Sequence, residues 1–477
     1  MFDERLTKAM RCKRIHFIGI GGSGMSGIAE LLLHYGYAVS GSDLNPSSYT
    51  QRLAAAGATV FYTHDPQNIA GVEVVVYSSA ITEDNPELME ARRLHLSVIP
   101  RAQMLVEIMR FNVGIAIAGT HGKTTTTSLL AHMLVEGGLD PAYVVGGILN
   151  SSHRSARAGA GAFFVIEADE SDGSFLRFNP VISVITNIDR DHISNYHMQL
   201  SELKDAFVKF AHQLPFYGLA VVCYDDPNVR AVLKYLDRQQ ITYGFEDGAE
   251  VRLSDFVQDG FSSSFKVSWS KYQLDHFELH TSLTGRHNAL NAVAALIVAT
   301  AGCGLPVKMV ANSLSSFSGV GRRMERHGYL VLPQGGKTLL IEDYGHHPRE
   351  IQATIVAVRA ACPGSRLVML FQPHRYSRTY DLWQDFVQVL GAVDLLILMN
   401  IYAASEMPIS QVTSERLASE IESCTCNKVH CCYDTESAVA TVLPLLQDGD
   451  LLLVQGAGDV NKAVKLLLDG CRVLNEG

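Results

Sequence analysis

The apolar run VGIAIA (113–118) leads into GTHGKTTTT (119–127) and then into SLLAHMLVE (128–136). A strand feeding a glycine-rich turn and then a helix is an anion-binding arrangement. Backbone N–H groups converge at such a turn, and the helix N-terminus adds partial positive charge. Lys123 adds a full charge beside Gly119, Thr120, His121 and Gly122, and Thr124 and Thr125 open the helix with hydroxyls, of which that of Thr124 suits Mg²⁺. The loop departs from the pattern GxxxxGK[ST], because Ile117 stands where the first glycine belongs. A lysine merely ending a strand is the alternative. The position, the lysine and the threonine favour a cradle for nucleotide β- and γ-phosphates.

The same order of elements recurs on both sides of this loop. RIHFIGI (14–20) reads as a strand, GMSGIAELLLHYG (24–36) as a helix with apolar residues at helical spacing, and YAVSGSD (37–43) as a second strand. VEVVVYSSAI (72–81) is another buried strand, which makes a parallel unit. GIGGSGMSG (19–27) fits GxGxxG through Gly19, Gly21 and Gly24, with Gly22 and Ser23 between them and Asp43 closing the next strand. That spacing predicts a diphosphate-bearing ligand with its ribose near Asp43, or a tight turn that binds nothing.

Beyond the loop, AFFVIEAD (162–169), VISVITNI (181–188) and GLAVVCYDD (218–226) read as strands of a second unit. FKVSW (265–269) and HFELHTSL (276–283) alternate as antiparallel strands do. The glycine-flanked basic stretch SGVGRRMER (318–326) reads as a linker. After it TLLIEDYG, RLVMLFQPH, DLLILMNIY and GDLLLVQGAG are buried strands of a third unit. The expected division is 1–110, 111–320 and 321–477, three α/β domains, in keeping with a chain of 477 residues at ~150 per domain.

Strand ends in an open parallel sheet face one crevice. EADESD (167–172) and TNIDRDH (186–192) both follow strands, so Glu167 and His192 are expected beside the phosphates. A carboxylate, a hydroxyl and an imidazole can share one or two divalent ions, giving Thr124, Glu167 and His192 as metal candidates. In GRHNALNA, His287 and Asn291 lie four apart on one helix face. Arg322 and Arg323 suit phosphoryl charge, although a solvated basic linker is the plain alternative. EDYGHHPRE and FQPHRYSRT both follow strands of the third unit, and together they make substrate contact the better reading for that unit.

Composition sets limits. Hydrophobic residues are 47% of the chain, enough for several cores, and the net charge of −10 argues against general nucleic-acid affinity. The first residues are charged and lack a leader's apolar core, and no apolar run approaches the ~20 residues of a membrane span. Nine cysteines, with no zinc-type spacing in CTCNKVHCC (424–432), fit thiols in a reducing cytoplasm.

GIGGSGMSG, GTHGKTTT, EADESD, TNIDRDH, GRHNALNA, GVGRR, DYGHHP, QPHRYSRT and QGAGD occur in this order over almost the whole chain. As an ordered set they resemble the muramyl (Mur) ligases. The resemblance implies a Rossmann-like N-terminal domain that binds a UDP-sugar, a P-loop ATPase domain, and a Rossmann-like C-terminal domain that brings the amino acid. It implies a cytoplasmic, ATP- and Mg²⁺-dependent ligase of peptidoglycan synthesis, a monomer or weak homodimer. UDP-N-acetylmuramate and L-alanine would be its substrates, or a whole tripeptide in place of the alanine.

Carried over by residue, the resemblance puts Gly19 to Gly24 on the diphosphate, and Asp43, Ser78 and Ser79 on the uridine side. It puts Lys123 on the β/γ-phosphates, Thr124 and Glu167 on one Mg²⁺, and His192 on a second. Asn291 would face the adenine with His287 close by, Asp343 would meet the ribose, and Arg322 and Arg323 the transferring phosphate. Tyr344 and His346 would form the alanine pocket, with Arg375 and Arg378 for substrate charge. Arg190 in NIDRDH departs from the smaller or uncharged residue expected beside the second metal. Two other classes compete. A nicotinamide oxidoreductase would use GIGGSGMSG but not the second loop, and a non-catalytic nucleotide-binding module would leave Glu167, His192 and the HHP loop without work.

Overall fold

A computed structural model describes residues 13–474 except 79, 153, 172, 191–198, 405 and 426–427. Short apolar runs give three sheets. The first holds β1 (Arg14–Ile18), β2 (Ala38–Ser42), β3 (Thr59–Phe61), β4 (Val74–Tyr77) and β5 (Ser97–Pro100), ordered β3-β2-β1-β4-β5 and parallel throughout. Strand order reverses at β1 and β4, and Gly19 and Ser78 leave those two strands side by side. A Cβ on Gly19 would lie 3.3 Å from the Ser78 Cβ. This is the crevice where open α/β sheets take ligands.

The second sheet contains β6 (Val113–Ala118), β7 (Ala142–Leu149), β8 (Arg154–Arg157), β9 (Phe163–Glu167), β10 (Ile182–Ile185), β11 (Leu219–Cys223) and β12 (Gln239–Gly244). It continues into β13 (Val251–Asp259), β14 (Ser262–Trp269) and β15 (Leu274–Thr281), in the order β15-β14-β13-β12-β11-β10-β6-β9-β7-β8. β6 pairs in parallel with both β9 and β10, so the ends of these three strands share one edge. β13 and β14 are joined through Gly260 and Phe261, and so short a connection makes them antiparallel.

The third sheet has β16 (Glu325–Val331), β17 (Lys337–Asp343), β18 (Leu367–Phe371), β19 (Leu395–Met399), β20 (Val429–Cys432), β21 (Leu451–Gln455) and β22 (Arg472–Leu474). Its order is β20-β19-β18-β21-β17-β16-β22, with β16 antiparallel to both of its neighbours. Asp343, Gln455 and Phe371 stand in register at the ends of β17, β21 and β18.

The chain forms two compact units. One comprises residues 1–253, 268–275 and 290–317, with the first sheet and most of the second. The other comprises 254–267, 276–289 and 318–477, with the third sheet. In the first unit a single apolar cluster runs from Ile15 and Phe17 through Met104 and Leu105 to Phe164, Phe207 and Leu236. Among the described residues no helix is long and apolar enough to cross a membrane.

Candidate active site

The phosphate-type loop forms where the sequence places it. β6 ends at Ala118, and the helix Lys123–Glu136 begins after Gly122. Gly119 has φ +130° and Gly122 φ +83°, a region that side chains avoid. A Cβ on Gly122 would come within 2.5 Å of the Asn291 Oδ1, and one on Gly119 would collide with Thr186. The loop is therefore a backbone surface with Asn291 against it. It is held from β10: Thr120 N donates to Asn187 O (3.1 Å), His121 N to Asn187 Oδ1 (2.8 Å), and Asp189 N to Thr120 Oγ1 (2.9 Å). His121 Nε2 lies 3.2 Å from Asp189 Oδ2.

Lys123 Nζ donates to the carbonyls of Gly119 (2.6 Å) and Thr120 (3.1 Å) and to Glu170 Oε2 (2.9 Å). Burial works against its charge, but the carboxylates of Glu170, Asp169 and Glu167 outweigh burial and raise its pKa, so it is a fixed cation. Glu170 is fully buried, which pushes its carboxyl up against the pull of Lys123. Thr124 Oγ1 donates to Glu167 Oε2 at 3.1 Å, and Gly146 N to Glu167 Oε1 at 2.6 Å. A hydroxyl and a carboxylate at that separation, beside a cation and a row of loop amides, are the hard oxygen donors that a phosphate-bound Mg²⁺ takes. Thr125 is buried in the first helical turn. His192 lies outside the described residues.

The first-sheet loop is a second cradle. Gly19 N and Ile20 N donate to Ser42 O (2.8 and 3.0 Å), and Gly21 N to Asp43 Oδ2 (2.9 Å). The other Asp43 oxygen takes Asn45 N at 3.1 Å. Gly22 N closes on Gly19 O at 3.3 Å, and Ser23 opens the helix Ser23–His34. Ser78 stands beside Gly19, while Ser79 is outside the described residues. Arg101, at the head of the helix Arg101–Met109, was not among the sequence candidates. Its guanidinium occupies the space a Cβ on Gly24 would need, and it makes no ion pair among the described residues. Its signal is position alone: it is the first residue after β5, at a strand exit of the same sheet.

In the other unit the exits of β17 and β18 come together. Tyr344 and His346 pack edge to face with centroids 5.5 Å apart, His346 and His374 are 5.6 Å apart, and His374 stacks on Tyr402 at 5.4 Å. Arg322 and Arg323 both lie over the Tyr344 ring, at 4.8 and 5.1 Å. His374 and Tyr402 are additions to the sequence candidates; both follow strands, by the same rule that picked out their neighbours. Arg375 has φ +72° and ψ 138°, a strained backbone for a side-chain-bearing residue, and its N–H donates to Tyr402 O at 2.8 Å. Arg378 is buried, with Nη1 3.2 Å from His374 O.

The second histidine of HHP has a local explanation. The His347 side chain accepts from Arg349 N, while Glu350 Oε2 takes His347 N at 3.2 Å, a capping box on the helix Pro348–Ala361. SGVGRRMER is more than a solvated linker. Arg322 Nε donates to Glu342 Oε1 (2.9 Å) and Nη2 to Gly456 O (2.8 Å), and Tyr344 N donates to Arg322 O (2.7 Å). Glu325, His327 and Glu342 bring three metal-type ligand atoms together, but the Arg322 guanidinium already neutralises Glu342.

Asp343 is buried and bound within its own unit. Oδ1 accepts from Gly345 N, Gln455 Nε2 and Thr354 Oγ1, and Oδ2 from Met324 N; burial raises its pKa. Burial also lowers the pKa of His287 to about 4, so its imidazole is neutral near pH 7.

Three family models match in order along the chain. They are the Mur ligase family, catalytic domain (14–112), the Mur ligase middle domain (117–299) and the Mur ligase, glutamate ligase domain (322–458). The UDP-N-acetylmuramate–L-alanine ligase of Aromatoleum aromaticum is 49% identical over 458 residues, 94% of this chain and 96% of that protein. That of Xylella fastidiosa is 48% identical over 458 residues, covering 96% and 95%. The structure of UDP-N-acetylmuramate-alanine ligase MurC from Thermotoga maritima superposes with a TM-score of 0.81 at 26% identity, over 96% of this chain and 98% of that one. A murein peptide ligase from Psychrobacter arcticus shares the fold, with a TM-score of 0.70 at 21% identity and coverage of 96% and 98%. Two glycine-loop cradles, a buried lysine with its acids and a matching third domain all lie where these relatives align, and the chain belongs to the Mur ligase family.

Proposed function

We propose that the protein joins L-alanine to the carboxylate of UDP-N-acetylmuramate at the expense of ATP, releasing ADP and phosphate, in peptidoglycan precursor synthesis. The observation that carries this reading is the cluster at the mouth of β6, where a charged Lys123 is held beside Thr124 and Glu167. The near-half identity to alanine ligases over most of the chain favours alanine over a tripeptide. ATP's γ-phosphate would activate the muramate carboxylate as an acyl phosphate; the alanine amine then attacks its carbonyl carbon, forming the amide bond and expelling phosphate.

In this reading the loop of Gly119, Thr120, His121 and Gly122 and the helix start at Lys123, Thr124 and Thr125 surround the phosphates, and Lys123 leaves the loop carbonyls to neutralise them. Thr124 and Glu167 would hold Mg²⁺, which supplies further charge neutralisation, and His192 would hold a second ion. Alignment and charge neutralisation supply most of the catalysis in phosphoryl transfer. Asn291 and the neutral His287 take the adenine side, with Asp343 expected at the ribose. Arg322 and Arg323 supply charge for the transferring phosphate.

Gly19 to Gly24 receive the sugar diphosphate, with Arg101 as an added cation and Asp43, Ser78 and Ser79 on the uridine side. Tyr344, His346, Arg375 and Arg378 receive alanine, with an arginine for its carboxylate and His346 to take the ammonium proton. The expected enzyme is cytoplasmic and works as a monomer or weak homodimer. A coupled ADP assay tests the reading: turnover is expected only with UDP-N-acetylmuramate, L-alanine, ATP and Mg²⁺ together. No turnover with all four, or NADH oxidation by the protein itself without coupling enzymes, would reject it.

A further inference from the structure

Beneath the first glycine loop lies a buried acid that the reaction itself does not use. Glu87, on the helix Pro86–Arg93, is fully buried. Its carboxylate gathers four elements. Ser42 Oγ at the end of β2 donates to it, as does Asn68 Nδ2 (2.6 Å). His64 Nδ1 lies 3.0 Å away, and His16 Nε2 on β1 lies 3.6 Å away. His64 Nδ1 also reaches Ser42 Oγ at 3.0 Å. Asn85 and Pro86 start the helix, with Asn85 Oδ1 accepting from Glu87 N (3.0 Å) and Leu88 N (3.2 Å), so the carboxylate is delivered from a fixed helix end.

Ser42 is the residue through which this matters. Its carbonyl accepts both Gly19 N and Ile20 N, and the next residue, Asp43, accepts Gly21 N. Three successive amides of the loop thus hang on Ser42 and Asp43, and Ser42 is tied by its side chain to Glu87. We propose that Glu87 is a positioning residue for the diphosphate loop. Through Ser42 it fixes the end of β2, and so the course of the Gly19–Gly24 loop that hangs from it. The assignment rests on the reading of that loop as the UDP-sugar site. A loop already set in its binding geometry loses less freedom when the ligand arrives, which is where affinity would be gained.

The test uses the full chain with Glu87→Gln and Ser42→Ala. The second variant keeps the carbonyl that caps the loop and removes only the hydroxyl link. Both should raise the KM for UDP-N-acetylmuramate and the calorimetric Kd for UDP about ten-fold, the scale of one lost hydrogen bond to a charged group. The kcat at saturation and the KM for ATP and L-alanine should stay within about two-fold. A merely destabilised protein would lose kcat and leave KM alone, and that pattern overturns the proposal. Hydrogen exchange gives a ligand-free readout: the Gly19, Ile20 and Gly21 amides should exchange faster in both variants, relative to the β4 amides. Unchanged exchange in Ser42→Ala overturns the proposal even if Glu87→Gln fails to fold. If the wild type binds no UDP-sugar while both variants show the exchange effect, the substrate reading is refuted and the positioning role stands.

Discussion

Lys123 and Glu170 show how one residue can serve two ends. With Glu170 fully buried and paired at 2.9 Å, removing the lysine leaves an acid without its cation. Lys123→Ala should therefore lower unfolding stability by about 3 kcal/mol as well as abolish ADP formation. The double variant Lys123→Ala/Glu170→Gln should regain much of the stability and none of the turnover, as denaturant melts and the ADP assay would show. If restoring stability restored turnover, the lysine would be structural only. Glu87 makes the same argument in pH. Burial alone would raise its carboxyl, yet His16, Ser42 and Asn68 hold it at about 2 against an ordinary 4.5. A depressed carboxyl stabilises the fold above its unfolded pKa and loses that contribution as pH falls through the folded one. Wild-type stability should thus drop from about pH 4.5 towards pH 2 more steeply than that of Glu87→Gln, in urea melts taken at successive pH values. Parallel curves would reject the pairing.

At the scale of elements, turns were the most legible feature of the sequence. Gly119 and Gly122 announce a turn because only glycine tolerates their conformation, and the flanking apolar runs fix a strand before it and a helix after it. Gly122→Ala carries that logic into a measurement: it strains φ +83° and drives a methyl onto Asn291. ATP affinity should fall by at least ten-fold, with UDP binding unchanged in calorimetry. Equal loss of both would show that the two loops are not separate sites. What stayed hidden were partnerships across the sheet. Nothing local in PELMEARR marks Glu87 as the residue that meets Ser42, 45 positions away. His347, the second histidine of the HHP loop, caps a helix, a role that its place beside Pro348 does not announce. Arg101 escaped notice because a lone arginine at a helix start carries no pattern.

For the whole molecule, amino-acid choice is the property that separates close relatives. A pocket walled to a methyl excludes large side chains by clash, but one missing methyl or added hydroxyl changes kcat/KM by only ~10–200-fold. Glycine and L-serine should be slow substrates, and D-alanine and a free tripeptide should fail, in a panel run on the purified enzyme. Preference for the tripeptide would move the protein to the recycling branch. Many strands were legible because they are short apolar runs, such as VGIAIA (113–118) and LLLVQ (451–455), whereas the polar strands RSAR (154–157) and ERHGYLV (325–331) carried no such signal. The division into two compact units was not legible, since it cuts through β13 to β15 and the helix Arg286–Ile297, where the sequence shows no break. The unbroken apolar cluster from Ile15 to Leu236 has a thermodynamic corollary. The two nucleotide cradles of that unit should melt in one cooperative step. UDP-N-acetylmuramate alone, at a hundred times its Kd, should then add about 2.7 kcal/mol to the stability of the ATP loop as well as its own. Slower amide exchange along Lys123–Glu136 on adding the sugar, with no ATP present, would reveal that shared melting; protection confined to residues 14–100 would mean the cluster is two cores.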